Sequence, residues 1–360
     1  MSGLQGFYRR LARNGPDSIA EQLLYVFLLP FSMLYRELMR LRAALYRWRV
    51  FSSYRASVPI ISVGNLAVGG TGKTPVVDYL IKFCLAQGRQ VAVVSRGYGG
   101  RKHPGVQVVS GGKGLLLEPE QCGDEPYLLA RRNPQALVLV SPKRADAVRQ
   151  AVEEFGAEIV LLDDGFQHLA VQRDFDIVLL DAQRPLGNGQ LLPAGLLREP
   201  VSALGRGDLF LLTRCDNEAG FDLPVKGPVL HCRHALADHA LNLKGQQIPL
   251  ASLGDKRGIA FAGIAEPAGF FSSLKDKGLG LVFEISFADH CSYGESELRQ
   301  LTVASLEADY LITTEKDAVK LSALNLPLPC YQVPLILEFR EPGSLEGFLR
   351  PLVCLEKKVL

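Results

Sequence analysis

Beyond residue 58, short apolar runs alternate with segments whose apolar residues recur at helical spacing. The runs are PIISVG (59–64), QVAVVS (90–95), ALVLV (136–140), EIVLLDD (158–164), FDIVLLD (175–181) and DLFLLT (208–213). Between them lie PVVDYLIKFCLAQG (75–88), DEPYLLARR (124–132) and RADAVRQAVEEFG (144–156). Strands that are apolar on both faces need cover on both sides, so the alternation predicts an α/β domain with a parallel sheet between helices. Residues 225–254 break into shorter strand-like pieces and read as a linker. A second α/β unit is expected from GIAFAGIAEP (258–267) onward, through LVFEISF (281–287), the helix SELRQLTVASL (296–306), ADYLITT (308–314) and EKDAVKLSAL (315–324).

The first 57 residues do not share this alternation. The apolar run at 23–34 is twelve residues long, whereas a bilayer-spanning helix needs about 20, so it cannot cross a membrane alone. In the segment that follows, Leu38, Leu41, Leu45 and Trp48 recur at helical spacing while Arg36, Arg40, Arg47 and Arg49 fill other faces. Two readings fit: a helix lying in a membrane interface with its arginines on anionic headgroups, or a basic helix packed on its own domain. Charge sharpens the contrast with the rest of the chain. Residues 1–57 hold nine Arg against Asp17, Glu21 and Glu37, a balance of +6; with +2 overall, the remaining 303 residues carry −4. So small a net charge gives no global attraction to nucleic acid, and none is expected as a partner.

At 360 residues and 48% hydrophobic composition the chain has material for two cores. Its seven cysteines are scattered without a C-x-x-C pair, which fits reduced thiols in a cytosolic compartment rather than a disulfide framework or a zinc site. No basic-then-apolar secretory signal opens the sequence, so export is not expected.

The chemistry concentrates after the first apolar run. Ala67, Val68, Gly69, Gly70, Thr71, Gly72, Lys73 and Thr74 have the phosphate-loop spacing, apart from Ala where the strict pattern starts with Gly. An apolar strand leads in and a helix follows, with Pro75 tolerated in its first turn. Glycines let backbone amides turn toward phosphate oxygens, and the helix dipole adds attraction. Lys73 is expected on the β- and γ-phosphates of ATP and Thr74 on magnesium. A magnesium-side carboxylate is expected at a neighbouring strand tip, where Asp163 and Asp164 end EIVLLDD; the alternative is a turn cap before Gly165. No N-K-x-D-like guanine motif appears, and Lys316-Asp317 lacks the leading Asn. Arg96 and Arg144 follow strand ends at the same sheet edge and are candidates to grip phosphate oxygens, of ATP or of a phosphorylated substrate.

Taken together, SVGNLAVGGTGKTP (62–75), SRGYGG (95–100), GDEP (123–126), DDGFQH (163–168), LLPAGLLREP (191–200), FADH (287–290) and TTEKDAVK (313–320) resemble the tetraacyldisaccharide 4'-kinases of lipid A biosynthesis. One departure is Cys291, where many relatives carry a second His. The resemblance implies transfer of the ATP γ-phosphate to the 4'-hydroxyl of a tetraacylated glucosamine disaccharide 1-phosphate. It also implies a peripheral enzyme on the cytoplasmic face of a bacterial inner membrane, which favours the interfacial reading of the N-terminus. By sequence alone Asp124 reads as a helix N-cap; by resemblance it becomes the catalytic base, with His290 from the second domain as its partner. Glu199 becomes a candidate metal or metal-water ligand. Gln167 and His168 become candidates for positioning nucleotide or metal-bound water, a packed histidine being the other reading of His168.

The expected organisation is thus a membrane-interface helix at 1–57, a P-loop NTPase-like kinase domain at 58–224, a strand linker at 225–254 and a smaller α/β domain at 255–360. The competing functional classes are a P-loop ATPase switch acting on a membrane partner and a non-catalytic nucleotide-binding scaffold. ATP hydrolysis without lipid marks the switch, lipid-dependent ADP release the kinase, and binding without turnover the scaffold.

Overall fold

The computed structural model describes residues 3–69, 72–215, 224–289, 291–321 and 324–354. The chain forms two compact units, Met1–Arg233 with Glu338–Leu360, and His234–Leu337. The first unit opens with helices α1 (Gly3–Asn14) and α2 (Ile19–Arg47). The sequence suggested a short apolar run and then an amphipathic segment; they form one 29-residue helix that contains Pro30. Its start is fixed locally: the Ser18 side chain accepts from the Glu21 amide, and Glu21 reaches back to the Ser18 amide, a reciprocal cap that satisfies two otherwise orphaned donors.

The α/β alternation then follows as β1 (Ile60–Asn65), α3 (Lys73–Ala86), β2 (Val91–Ser95), β3 (Gln107–Gly111), α4 (Pro119–Cys122), α5 (Asp124–Arg132), β4 (Leu137–Val140), α6 (Arg144–Glu153), β5 (Ile159–Asp163), β6 (Phe175–Asp181) and β7 (Leu209–Thr213). Next come β8 (Val229–Leu236), β9 (His239–Asn242), β10 (Gln247–Pro249), β11 (Arg257–Ala262), α7 (Pro267–Asp276), β12 (Gly280–Ser286), α8 (Glu295–Ala304), β13 (Tyr310–Thr314), α9 (Glu315–Ala318), β14 (Cys330–Val333), β15 (Leu335–Phe339) and α10 (Ser344–Val353).

The nine-stranded sheet runs β15-β8-β7-β6-β1-β5-β2-β4-β3. Pairings from β8 through β4 are parallel, and β3 joins β4 antiparallel. Every residue of β1, β2, β4, β5 and β7 is buried, which is why these strands read as unbroken apolar runs. β3 went unread in the sequence: its edge position leaves it only partly buried. The second unit holds the sheet β10-β9-β14-β13-β11-β12, parallel from β14 to β12. Two apolar clusters fill it, one including Phe270, Phe271 and Leu274 of α7 and the other Leu301 of α8.

The unit boundaries differ from those read in the sequence. Within residues 225–254, read as a strand linker, β9 and β10 form as strands but belong to the smaller sheet. Residues 338–360 belong to the first unit. There Leu345, Leu349 and Val353 are buried, Tyr79 of α3 donates to Glu346, its ring meets Phe339 edge-on, and Arg89 donates to the Val353 carbonyl at 2.8 Å.

Candidate functional site

Because β1, β2, β4 and β5 are parallel, the loops after them open at one edge, the carboxyl edge where ligands bind in open α/β sheets. That edge collects Lys73 at the start of α3, Arg96 after β2, Arg144 at the start of α6, and Asp163 and Asp164 at the tip of β5. Gly72, at φ +77°, is the residue before α3, a left-handed conformation that costs a glycine little. Gly69 also has positive φ (+135°), with open space where a Cβ would sit. The loop leans on the LLREP segment: the Val68 amide donates to the Leu196 carbonyl at 2.8 Å, and the Arg198 amide to the Leu66 carbonyl at 2.8 Å. Gly70 and Thr71 lie outside the described residues.

The Lys73 ammonium stands 3.2 Å from Asn65 Oδ1 and 3.3 Å from Asp164 Oδ1. Asp164, itself in a left-handed conformation, also accepts from Arg198 Nη1 with both oxygens, at 2.9 and 2.7 Å. Burial works to raise its pKa, but Lys73 and Arg198 outweigh that and hold the carboxylate below its ordinary range. Asp163 is the opposite case. Burial, with the negative charge of Glu125 adding, pushes it up to about 6 against the pull of Lys73. Its Oδ2 accepts from Ser95 at 3.2 Å, while its Oδ1 is buried without a hydrogen-bond partner. Thr74 is buried beside Lys73.

The remaining candidates fall around this centre. Arg144 is 7% exposed, its Nε unpartnered, and it feels Asp164, Asp163, Arg96 and Arg198; Arg96 is exposed. Gln167 is a junction: its Nε2 donates to the Asn65 carbonyl at 2.9 Å, its Oε1 accepts from Arg198, and its own carbonyl accepts from Arg42 of α2 at 2.9 Å. The His168 ring is held neutral, its pKa down to about 4, by burial and then by Arg144, Arg42, Arg173 and Arg96. Its Nε2 is buried without a partner. Glu199, suggested as a metal or metal-water ligand, is instead paired with arginines: Arg206 donates to its Oε2, and Arg42 stands 3.7 Å from its Oε1.

Asp124 is the first residue of α5. The turn after β2 fits against its approach. A Cβ on Gly123 would lie 2.4 Å from the Tyr98 carbonyl oxygen, and one on Gly100 2.6 Å from that of Gln121, so both positions need glycine. The GYGG and GDEP motifs therefore pack together, bringing α5 to the edge that holds Asp163. His290 lies outside the described residues.

Sequence reasoning passed over Asn65, Ser95, Arg198 and Arg42. Asn65, Ser95 and Arg198 lie inside quoted motifs, and a polar residue closing an apolar strand was the available signal for Asn65 and Ser95. Arg42 carries no local signal for this role, because its partners at the site, Gln167 and Glu199, are more than a hundred residues away.

Among the described residues no cluster of three or more His, Cys, Asp or Glu has metal-holding geometry. A hard divalent cation such as magnesium takes few protein ligands, all oxygen. The bare Oδ1 of Asp163 and the hydroxyl of Thr74 fit that chemistry. Asp164 is engaged by Lys73 and Arg198, and Glu199 by its arginines.

Comparison with known proteins gives a consistent result. The model of the family described as "Tetraacyldisaccharide-1-P 4'-kinase" matches residues 24–353. A tetraacyldisaccharide 4'-kinase of Syntrophotalea carbinolica is 59% identical over 98% of this chain and 99% of its own. One of Geobacter sulfurreducens is 46% identical over 96% and 98%. The crystal structure of the "apo" form of LpxK from Aquifex aeolicus in complex with ATP superposes with a TM-score of 0.77 at 32% identity, over 92% of this chain and 99% of that one. With nearly its whole length matched at such identity, the chain belongs to the tetraacyldisaccharide-1-P 4'-kinase family.

Proposed function

We propose that this chain transfers the γ-phosphate of ATP to the 4'-hydroxyl of a tetraacylated glucosamine disaccharide 1-phosphate, giving the bis-phosphorylated lipid A precursor. The observation that carries the reading is the loop at 67–74. It has phosphate-loop spacing, opens α3 at the carboxyl edge, and holds Lys73 3.3 Å from Asp164, within a chain that matches the kinase family over 24–353.

The 4'-oxygen attacks the γ-phosphorus, the bond from that phosphorus to the β–γ bridging oxygen breaks, and ADP leaves with the electron pair. Backbone amides of the 67–74 loop orient the phosphates, and Lys73 exchanges Asp164 for the β- and γ-oxygens. Arg96 and Arg144 face the charge on the transferred group, and the buried Arg144 does so in a low-dielectric setting that strengthens it. Asp124 accepts the hydroxyl proton as the new bond forms; His290 is assigned to the same transfer on the resemblance alone. Thr74 and Asp163, with Asp164 alongside, would hold magnesium, which neutralises charge on the phosphate oxygens. Gln167 braces Asn65 and Arg198, and Glu199 holds Arg42 and Arg206 in place.

The lipid substrate calls for a membrane surface, and α2 supports that reading. Ile19, Leu23, Val26, Phe27, Phe31, Leu34, Leu38 and Leu41 stand exposed along it. No helix among the described residues is long and apolar enough to cross a membrane. A helix of this kind rests in the interface with its apolar stripe in the acyl boundary, here on the cytoplasmic face of the inner membrane.

The test is mass spectrometry of the disaccharide 1-phosphate lipid incubated with the protein, ATP and magnesium. Addition of one phosphate at the 4'-position is expected. ADP formed while the lipid stays unmodified would overturn the assignment in favour of an ATPase.

A further inference from the structure

The junction of α1 with the segment after β6 forms an open surface recess of about 440 Å³ lined by Arg10, Arg13, Asn14, Gln183 and Arg184. Three guanidinium groups, which only donate, and two side-chain amides meet there. Two of the acids nearby are already engaged. Glu21, fully buried, accepts from Arg10 and from the amides of Asp17 and Ser18, and Asp181 pairs with Arg214 at 3.2 Å. The carbonyls at the end of α1 do not turn the recess negative. Arg184 covers the Arg13 carbonyl at 3.3 Å and the Asn14 side chain, and Asn188 donates to the Leu11 carbonyl at 3.4 Å. The wall is built rather than incidental: Leu11 and Ala12 are buried, and the Tyr8 hydroxyl donates to the Pro193 carbonyl at 2.8 Å. Arg10 and Arg13 lie upstream of the family match at 24–353, while Arg184 lies within it.

Position indicates the ligand. Through Glu21, Arg10 is tied to the first turn of α2, where Ile19 (77% exposed) and Leu23 (70%) begin the apolar stripe. A donor-lined recess at the end of an apolar stripe matches an amphiphile with an anionic head and apolar tails, with the planar forks of arginine suited to phosphate oxygens. We infer that the Arg10–Arg13–Arg184 recess binds the phosphate of an anionic phospholipid headgroup, by residues other than those of the 67–74 loop and the β5 tip. It rests on the reading of α2 as a membrane-lying helix only for the choice of a lipid over a free anion.

The experiment is calorimetric titration of the full chain, at low ionic strength, with three probes: monomeric dihexanoyl phosphatidylglycerol, monomeric dihexanoyl phosphatidylcholine and inorganic phosphate. Short-chain monomers present no bilayer, so the result does not depend on whether α2 binds vesicles or the chain is a kinase. Phosphatidylglycerol is expected to bind at least fivefold more tightly than phosphatidylcholine, whose ammonium meets the positive charge of Arg13 and Arg184. The double substitution Arg13→Gln with Arg184→Gln should weaken it at least fivefold while leaving phosphatidylcholine unchanged. Arg10 is left in place because it compensates buried Glu21. If the double variant melts below the working temperature, Arg184→Lys, which keeps the charge and loses the fork, should still weaken phosphatidylglycerol at least twofold. Equal binding of the two lipids, or undiminished phosphatidylglycerol binding by the folded variants, would overturn the site. Inorganic phosphate binding as tightly as phosphatidylglycerol would overturn its assignment to a lipid.

Discussion

Lys73 is held between Asn65 and Asp164, so the ammonium is already at the sheet edge before any phosphate arrives. An interaction of this kind with transition-state charge is worth about a hundredfold or more in rate. Lys73→Ala is therefore expected to cut turnover at least that far, measured as lipid phosphorylated per enzyme; near-normal turnover would remove the loop from the site. Asp124 makes a different prediction, because a base acts on the chemical step and not on nucleotide affinity. Asp124→Asn should lower kcat strongly with ATP binding nearly unchanged, and an Asn enzyme with normal kcat would exclude Asp124 as the base. His168 speaks through stability. Its folded pKa, about 4, lies below the ordinary value of about 6.5, so the unfolded chain takes up the proton first as pH falls. The stability that neutral His168 supports is complete above about pH 6.5 and is lost as pH falls toward 4. For a partly exposed ring the loss by pH 5 is on the order of 1 kcal/mol. His168→Gln should flatten this part of the urea-midpoint profile between pH 7 and 5, and parallel profiles for the two proteins would refute the assignment. At this scale what spacing made legible was the meeting of Lys73, Asp163 and Asp164 at one sheet edge. Arg42 and the arginine partners of Glu199 were not, since pairings across more than a hundred residues, or a choice between two uses of one acid, leave no local periodicity.

Helices and strands were read with more success than single pairings, for a physical reason. A strand buried on both faces must be apolar throughout, so β1, β2, β4, β5, β6 and β7 each coincide with a run visible in the sequence. The half-covered edge strand β3 has no such constraint. Helix α2 shows the limit of the same logic: its exposed apolar stripe is plain in the sequence, while the polar contacts that hold its other face are not. Ser32 donates to the Leu191 carbonyl at 3.0 Å and accepts from the Ala194 amide at 2.8 Å, Tyr35 donates to the Arg198 carbonyl at 3.0 Å, and Arg42 reaches Gln167. The helix is therefore packed on one face, as one of the two sequence readings had it, and bare on the other, the face that the membrane reading would bury in lipid. Deleting it would strip these contacts along with the stripe, so substitution on the stripe is the cleaner probe. Leu23→Glu with Phe27→Glu, both exposed, should leave the thermal midpoint within about a degree, as surface changes usually do. Sedimentation with phospholipid vesicles should fall severalfold, because two apolar contacts are lost and two negative charges meet an anionic surface. Undiminished sedimentation would place the membrane contact elsewhere.

At the scale of the whole molecule the chain is discontinuous: it leaves the first unit at Arg233 and re-enters at Glu338. An amphipathic helix near the terminus announces that one face will be covered but not by which core, so reading along the chain assigned α10 to the nearer domain. In the structure it lies along α3, with Leu349 wholly buried and Tyr79 and Arg89 bonded to its two ends. Chain order and stability should therefore come apart. Truncating a fully buried leucine removes its transfer energy and leaves a cavity, a cost of about 2–5 kcal/mol. Leu349→Ala should thus weaken the unit that carries the 67–74 loop, far upstream in chain order, and spare the unit closer to it in sequence. Limited proteolysis across a urea series, with fragments identified by mass, reads this directly. Cuts within residues 58–215 should appear at lower urea than in the unsubstituted protein, while residues 234–337 keep their protection. If cuts within 234–337 came first, α10 would be stabilising the smaller unit, and the division of the chain into these two units would be wrong.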